Sequence, residues 1–187
     1  MGNVVRLEPL ATHHSQELFD VLGNDDEAWR WMVVPTPRTP GDMSAIVDRY
    51  LNDFKLGTRE PYAVVHLGSQ RTIGTTSFMD ISRHDRTLEI GSTIYSKEFW
   101  RTPVNTESKL LLLTQAFEVH NCVRVTLKTD SENLRSQAAI TRLGAKYEGT
   151  LRLHKMRADG TSRDSMYYSI VSSEWPQVKV KLQMVLE

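Results

Sequence analysis

Between residues 88 and 143 the chain brings together an arginine, several hydroxyl side chains and two helix starts. Arg101-Thr102-Pro103-Val104-Asn105-Thr106-Glu107 leads into one helix, and Asn133-Leu134-Arg135-Ser136 opens another. A helix start presents unpaired backbone N–H groups and the positive end of the peptide dipole, which suits it to phosphate. Arg101 adds a cation, and Thr102 and Thr106 add hydroxyls. The amides of Val104, Asn105, Thr106 and Glu107 are the expected backbone donors; Pro103 has no N–H to offer. Ser136 lies one turn beyond Asn133, on the same helix face. Upstream, Glu89 is expected to share a strand face with Gly91, Thr93 and Tyr95, because residues two apart point the same way. It is therefore a candidate base. On residue types alone this is an anion-binding α/β arrangement.

Each of these residues also has a purely structural reading. Asn105 or Thr106 can cap the first helix while Glu107 offsets its dipole. Asn133 can be an ordinary N-cap with Ser136 as a polar surface residue. Glu89 can be paired with a nearby arginine.

The elements that must position these groups follow from periodicity. Residues 4–10 alternate apolar and polar and stop at Pro9, as an edge strand does. Thr12 is the expected cap of a helix carrying Leu18, Phe19 and Leu22 on one face. Residues 26–40 hold Trp29, Trp31 and three prolines without a period; such a loop either lines a substrate cleft or anchors itself to the core. Residues 42–55 repeat as an amphipathic helix. Residues 62–67, 72–81 and 87–95 are β-branched runs separated by turns, which predicts an antiparallel meander. A helix over 106–120 has apolar residues on more than one face and is expected to lie buried on a sheet. Residues 124–130 form a strand and 133–143 a helix, with Gly144 just past its end. Residues 147–156 and 165–171 read as a closing hairpin turning at Asp159-Gly160, and 174–186 as a terminal helix. The expected fold is one α+β domain over residues 1–187.

Composition excludes several classes. Lys plus Arg and Asp plus Glu are both 23, which leaves no basic field for nucleic acid. Cys122 is the only cysteine, so no intramolecular disulfide or multi-cysteine metal site can form, and it reads as a buried thiol. His13, His14, His66, His84, His120 and His154 show no metal-ligand spacing, and the tandem His13-His14 is expected in solvent. No apolar run has signal-peptide or membrane-spanning length, which points to a cytoplasmic chain.

The order of elements, Arg101 at the start of the loop before the first helix and Asn133-x-x-Ser136 at the start of the second resemble the GNAT acyltransferase superfamily. The likeness is to the branch of ribosomal-protein N-terminal acetyltransferases. That resemblance implies a mixed, mostly antiparallel sheet splayed at strands 4 and 5. It also implies acetyl-CoA as co-substrate, a primary amine as acceptor and direct attack on the thioester. Ile94 or Tyr95 would polarise the carbonyl through a backbone N–H, Asn133 would face the pantetheine arm, and Ser136 would protonate the leaving thiolate. Two family features are missing. The loop pattern Arg/Gln-x-x-Gly-x-Gly/Ala has Val104 and Thr106 at its glycine positions counted from Arg101, or Pro103 and Asn105 counted back from Glu107. The helix tyrosine that serves many members is Ile140 here. These departures keep open a fold that binds CoA without turnover. A structural interaction domain, with Trp29, Trp31 and Trp175 as partner anchors, is a further alternative. A homodimer also stays open.

Overall fold

The computed structural model describes residues 2–187. In chain order the elements are β1 (Val5–Pro9), α1 (His14–Leu22), α2 (Asp26–Trp29), α3 (Pro40–Lys55), β2 (Arg59–His66), β3 (Arg71–Ser82) and β4 (Thr87–Tyr95). They continue as α4 (Pro103–Thr114), β5 (Arg124–Asp130), α5 (Leu134–Arg142), β6 (Lys146–Met156), β7 (Ser162–Val171) and α6 (Trp175–Leu186). The strands form one seven-stranded sheet in the order β1-β2-β3-β4-β5-β7-β6. Every neighbouring pair is antiparallel except β4 and β5. Helix α4 carries the crossover that a parallel pair requires. The mixed, mostly antiparallel α+β sheet is as expected.

Two layers of helix cover the sheet. On one face α4 and α6 bury Leu112, Leu113, Ala116, Val178 and Leu182 against Phe78, Ile90, Val125 and Ile170. On the other, α1 and α3 bury Leu18, Leu22, Met43 and Val47 around Ala63 and Ile94. Helix α4 is buried on most of its circumference, as its apolar run requires, and winds on as a π-helix over Gln115–Val119.

Two helix starts differ from expectation. Helix α4 begins at Pro103, not at residue 106, with Thr102 as its cap and proline in the first turn, where a missing N–H costs nothing. In a helix starting there, the amides of Thr106 and Glu107 meet the carbonyls of Thr102 and Pro103, so neither is free for a ligand. Helix α1 starts after His13 without a side-chain cap, and Thr12 plays no such part. His14 is not in solvent; it is buried, its Nδ1 3.0 Å from the Ala11 amide.

Glu107 has a different task from the one its position suggested. Its carboxylate, buried beneath the N-terminus, accepts N–H bonds from Asn3, Val4 and Val5 at 2.7 Å each. A single side chain thereby ties β1 to the start of α4. Glu107→Ala is expected to cost about 3 kcal/mol, because it strands buried backbone donors as well as removing charge-assisted bonds. Urea unfolding checks this; a change under about 1 kcal/mol would mean that β1 is held by its ladder with β2 alone.

Candidate active site

Strands β4 and β5 are paired over three residues each, Thr87–Glu89 against Arg124–Thr126. Beyond Glu89 they diverge, and a cavity of about 1100 Å³ fills the gap. The starts of α4 and α5 and the loop after α2 line it.

The decisive local feature of β4 is a bulge. Thr75 pairs with Ile94 and Ser77 with Gly91, so Ser92 and Thr93 together oppose Thr76. Ser92 takes a left-handed conformation, φ 47°. The extra residue reverses the alternation. Glu89 and Gly91 stay on the face of α1 and α3, whereas Thr93 and Tyr95 turn to α4, Thr93 meeting Lys109 and Tyr95 packing with Val104. Glu89 therefore does not share a face with Thr93 and Tyr95. Gly91 leaves room for its carboxylate: a Cβ there would lie 2.5 Å from Glu89 Oε1, which would have to move aside. The Ser96 N–H bonds back to Ile73 on β3. By alternation, Ile94 directs its N–H to β3 as well, and Tyr95 directs its own into the gap.

Glu89 is 4% exposed and forms an ion pair with Lys128, not an arginine, at 2.5 Å. Burial pushes its pKa up to about 7 against the pull of Lys128. Lys128 also bonds Asp80 at 3.2 Å, and although burial disfavours its charge, the two carboxylates raise its pKa.

Arg101, itself left-handed at φ 62°, precedes the cap of α4. The Thr102 hydroxyl donates to the Phe99 carbonyl at 2.7 Å and accepts the Val104 N–H at 3.4 Å. Arg101, Thr102, Asn105 and Thr106 line the cavity, as do Ile94, Tyr95, Asn133 and Ser136. Val104 and Glu107 do not, since both side chains turn inward beneath the helix. Among the described residues the Asn105 amide has no acceptor, which leaves it as the helix donor facing the gap. The Asn133 side chain accepts the Ser136 N–H at 3.0 Å and caps α5; the Ser136 hydroxyl has no partner among the described residues.

Sequence reasoning gave a role to Arg101 alone among the cavity cations and missed Arg135, Lys109, Lys128 and Arg163. Arg135 lies 3.3 Å from the centroid of Trp100, whose Nε1 is fixed on the Tyr95 carbonyl at 3.0 Å. Burial lowers the pKa of Arg135, and Arg101 repels it from nearby, so two guanidiniums stand beside the helix starts. No spacing rule could have assembled Lys109 and Lys128 with a strand 20 to 40 residues away, as roughly counted along the chain. Of the tryptophans, Trp31 lines the cavity. Trp29 is 3% exposed, with its Nε1 on the Leu22 carbonyl at 2.9 Å. Trp175 is buried on Phe117, ring centroids 5.3 Å apart. Neither can anchor a surface partner. Glu8, His13 and His14, which sequence spacing did not link, bring three potential ligand atoms within 4.8 Å of one another at the β1–α1 corner, outside the cavity.

The acetyltransferase (GNAT) domain family matches residues 5–146. The chain belongs to this family. Among relatives of this chain is the Bacillus subtilis (strain 168) protein named "Putative ribosomal N-acetyltransferase YdaF", 32% identical over 102 residues. The match covers 54% of this chain and 55% of that protein, so the chain spans about half the length of that relative. A GCN5-related N-acetyltransferase structure from Brucella melitensis superposes with a TM-score of 0.93 at 29% identity, covering 100% of this chain and 84% of that one. The microcin C7 self-immunity acetyltransferase MccE, solved in complex with acetyl-CoA and AMP, shares the fold at a TM-score of 0.80. Its identity is 20%, over 91% of this chain and 93% of that one.

Lys109 is 5% exposed, its Nζ on Thr93 Oγ1 at 2.6 Å and Thr76 Oγ1 at 3.4 Å. Burial lowers its pKa from 10.5 to about 7, with Glu89 pulling the other way. The unfolded amine is protonated below about 10.5 and the folded one only below about 7, so the unfolded chain binds more protons between those values. Stability rises with pH across that window. Lys109→Met, which removes the buried charge and keeps the volume, is expected to raise Tm most below pH 7, the gain shrinking as pH rises toward 10.5. Thermal unfolding of both proteins across pH tests it; an equal shift at every pH would mean that the amine is not desolvated.

Proposed function

We propose that this acetyltransferase moves an acetyl group from acetyl-CoA to a primary amine, a peptide N-terminus or a small-molecule amine, by direct attack. The observation that carries the reading is that one cavity holds two helix starts with their arginines, an outward-facing strand amide and a buried carboxylate. Arg101, Arg135 and the Asn105 amide are suited to the phosphates. The Tyr95 N–H is suited to the thioester oxygen, where negative charge develops.

The amine arrives as an ammonium. Glu89, ionised above about pH 7, takes its proton through water, and the freed amine forms the C–N bond as the C–S bond breaks. Ser136, one turn beyond the cap of α5, is suited to pass a proton to the departing thiolate, and the second proton that the nitrogen sheds as the amide forms restores its hydroxyl. A thiol has a pKa of about 8.5, so this help is worth less than it would be for an alkoxide. Thr102, Val104, Thr106 and Glu107, the remaining residues of the loop, act by shaping and anchoring the start of α4, and Ile94 by holding the strand against α1 and α3.

Cofactor binding and chemistry should separate. The double variant Arg101→Ala, Asn133→Ala is expected to lose acetyl-CoA affinity by calorimetry, and equal affinity in both proteins would remove the site. Ser136→Ala is expected to lower turnover roughly 10²-fold at saturating acetyl-CoA with little change in affinity, whereas wild-type turnover would leave Ser136 as a surface residue. Binding of CoA without thiol release to any amine would favour the non-catalytic reading.

The pH profile gives an independent check. For a base with a pKa of about 7, kcat/KM should rise with pH through that value. In Glu89→Gln the rate should fall, roughly 10²-fold, and the rise should vanish. A profile of the same midpoint in the variant would assign the titration to another group.

A further inference from the structure

The face of the sheet that holds Glu89 continues across β5 and β7 as a run of polar side chains. Lys128 is paired with Tyr167 and Asp130 with Ser165 across the ladder, and Arg163 lies two residues further along β7. Lys128 sits over the Tyr167 ring, 5.7 Å from its centroid, so Tyr167, Ser165 and Arg163 share the face of Lys128 and Glu89.

Arg163 is 9% exposed and lines the cavity. Its Nε donates to Ser165 Oγ at 3.1 Å and its Nη1 to the Trp31 carbonyl at 3.4 Å. Among the described residues Nη2 has no acceptor, and no carboxylate lies within ion-pairing distance of the guanidinium. The two nearest candidates are engaged: Asp130 accepts two bonds from Arg157, at 2.8 and 3.0 Å, and Glu89 is held by Lys128. Burial works against the charge of Arg163 and Arg157 repels it, yet a guanidinium in a protein stays protonated. A buried cation with a free donor edge toward a cavity lacks a counter-ion. The same cavity offers the reverse charge at Glu89 and Asp80, both of which pair with Lys128.

We propose that the acceptor amine also bears an oxyanion, a carboxylate or phosphate several bonds from the nitrogen, and that Arg163 receives it. The inference rests on the acetyl-transfer reading of this cavity. The ammonium is drawn to the Glu89 and Asp80 end and the oxyanion to the free edge of Arg163, under the Trp31 loop. Tyr167 and Arg163 are four residues apart, about 13 Å of strand, shortened by the Arg163 side chain reaching back to Ser165. That separation suits an amine with a spacer better than a bare α-amino acid. Arg163 is thus a specificity residue.

The test uses matched pairs of amines with and without the oxyanion: 6-aminohexanoate and hexylamine, 4-(aminomethyl)benzoate and benzylamine, O-phosphoethanolamine and ethanolamine. Binding is measured by calorimetry on the full chain with CoA present, and thiol release from acetyl-CoA is followed in parallel. The anionic member of at least one pair is expected to bind roughly 10-fold or more tightly than its neutral partner, the worth of one charge-assisted bond. In Arg163→Met that ratio should fall toward one, and in Arg163→Lys it should be partly kept. The carboxylate and phosphate pairs show which oxyanion is preferred. Equal binding within every pair, or no binding of any anionic member, overturns the inference whether or not thiol is released. A loss of CoA affinity in Arg163→Met with the pair ratio unchanged also overturns it, because Arg163 would then serve the cofactor. Anion-selective binding without thiol release supports the site and instead sinks the transfer reaction. If the methionine variant does not fold, the wild-type ratios and Arg163→Lys still decide.

Discussion

At Ser92 the backbone of β4 turns left-handed, and two residues there oppose one on β3. Most of the site depends on this bulge. Before it, Glu89 and Gly91 face α1 and α3; after it, Thr93 and Tyr95 face α4 and Ile94 takes over the opposite core. Without the extra residue, Tyr95 and Glu89 would lie on one face and the Tyr95 N–H would no longer turn toward β5. The bulge also increases local twist, in keeping with pairing to β5 that ends at Glu89. A gap between two parallel strands leaves backbone groups without partners, which a core could not tolerate but a ligand cavity can use.

Arg101 and Arg135 stand beside the helix starts, where positive dipole ends reinforce them. The cavity also holds the Glu89–Lys128–Asp80 cluster and Arg163, which donates to the Trp31 carbonyl. Lys109 lies across the sheet from Glu89, held by two threonine hydroxyls. Burial moves both Glu89 and Lys109 to about 7, the carboxylate upward and the amine downward. Two groups of opposite type therefore change charge over the same pH range, and such perturbed groups cluster at functional sites.

Periodicity and turn chemistry determined much by themselves: the strand meander, the buried crossover helix and the closing hairpin. Each rests on local rules, namely apolar spacing, β-branching, and glycine or proline at the breaks. Gly144, placed after α5 by its type alone, indeed adopts φ 98°. The pairing of Arg101 with the start of α4, and of Asn133 with Ser136 on α5, was legible for the same reason, because a helix start is a local feature. Helix boundaries were less legible. Pro103 falls before a helix expected from residue 106 until the structure shows it in the first turn, and Glu107 reads as a dipole partner until its carboxylate is found bonded to the amides of Asn3, Val4 and Val5.

Only the tertiary structure decided which groups face the cavity. A bulge shifts side-chain parity by one residue, and no period of two reveals it. Lys109, Lys128 and Arg163 come from α4, β5 and β7, and their nearness to Glu89 is set by the strand order β4-β5-β7, a non-local property. Trp29 and Trp31 have the same residue type, two positions apart, yet one seals a core and the other lines the cavity. Sequence spacing carries the chemistry of a side chain and its local element; burial and partners arise only when distant elements pack.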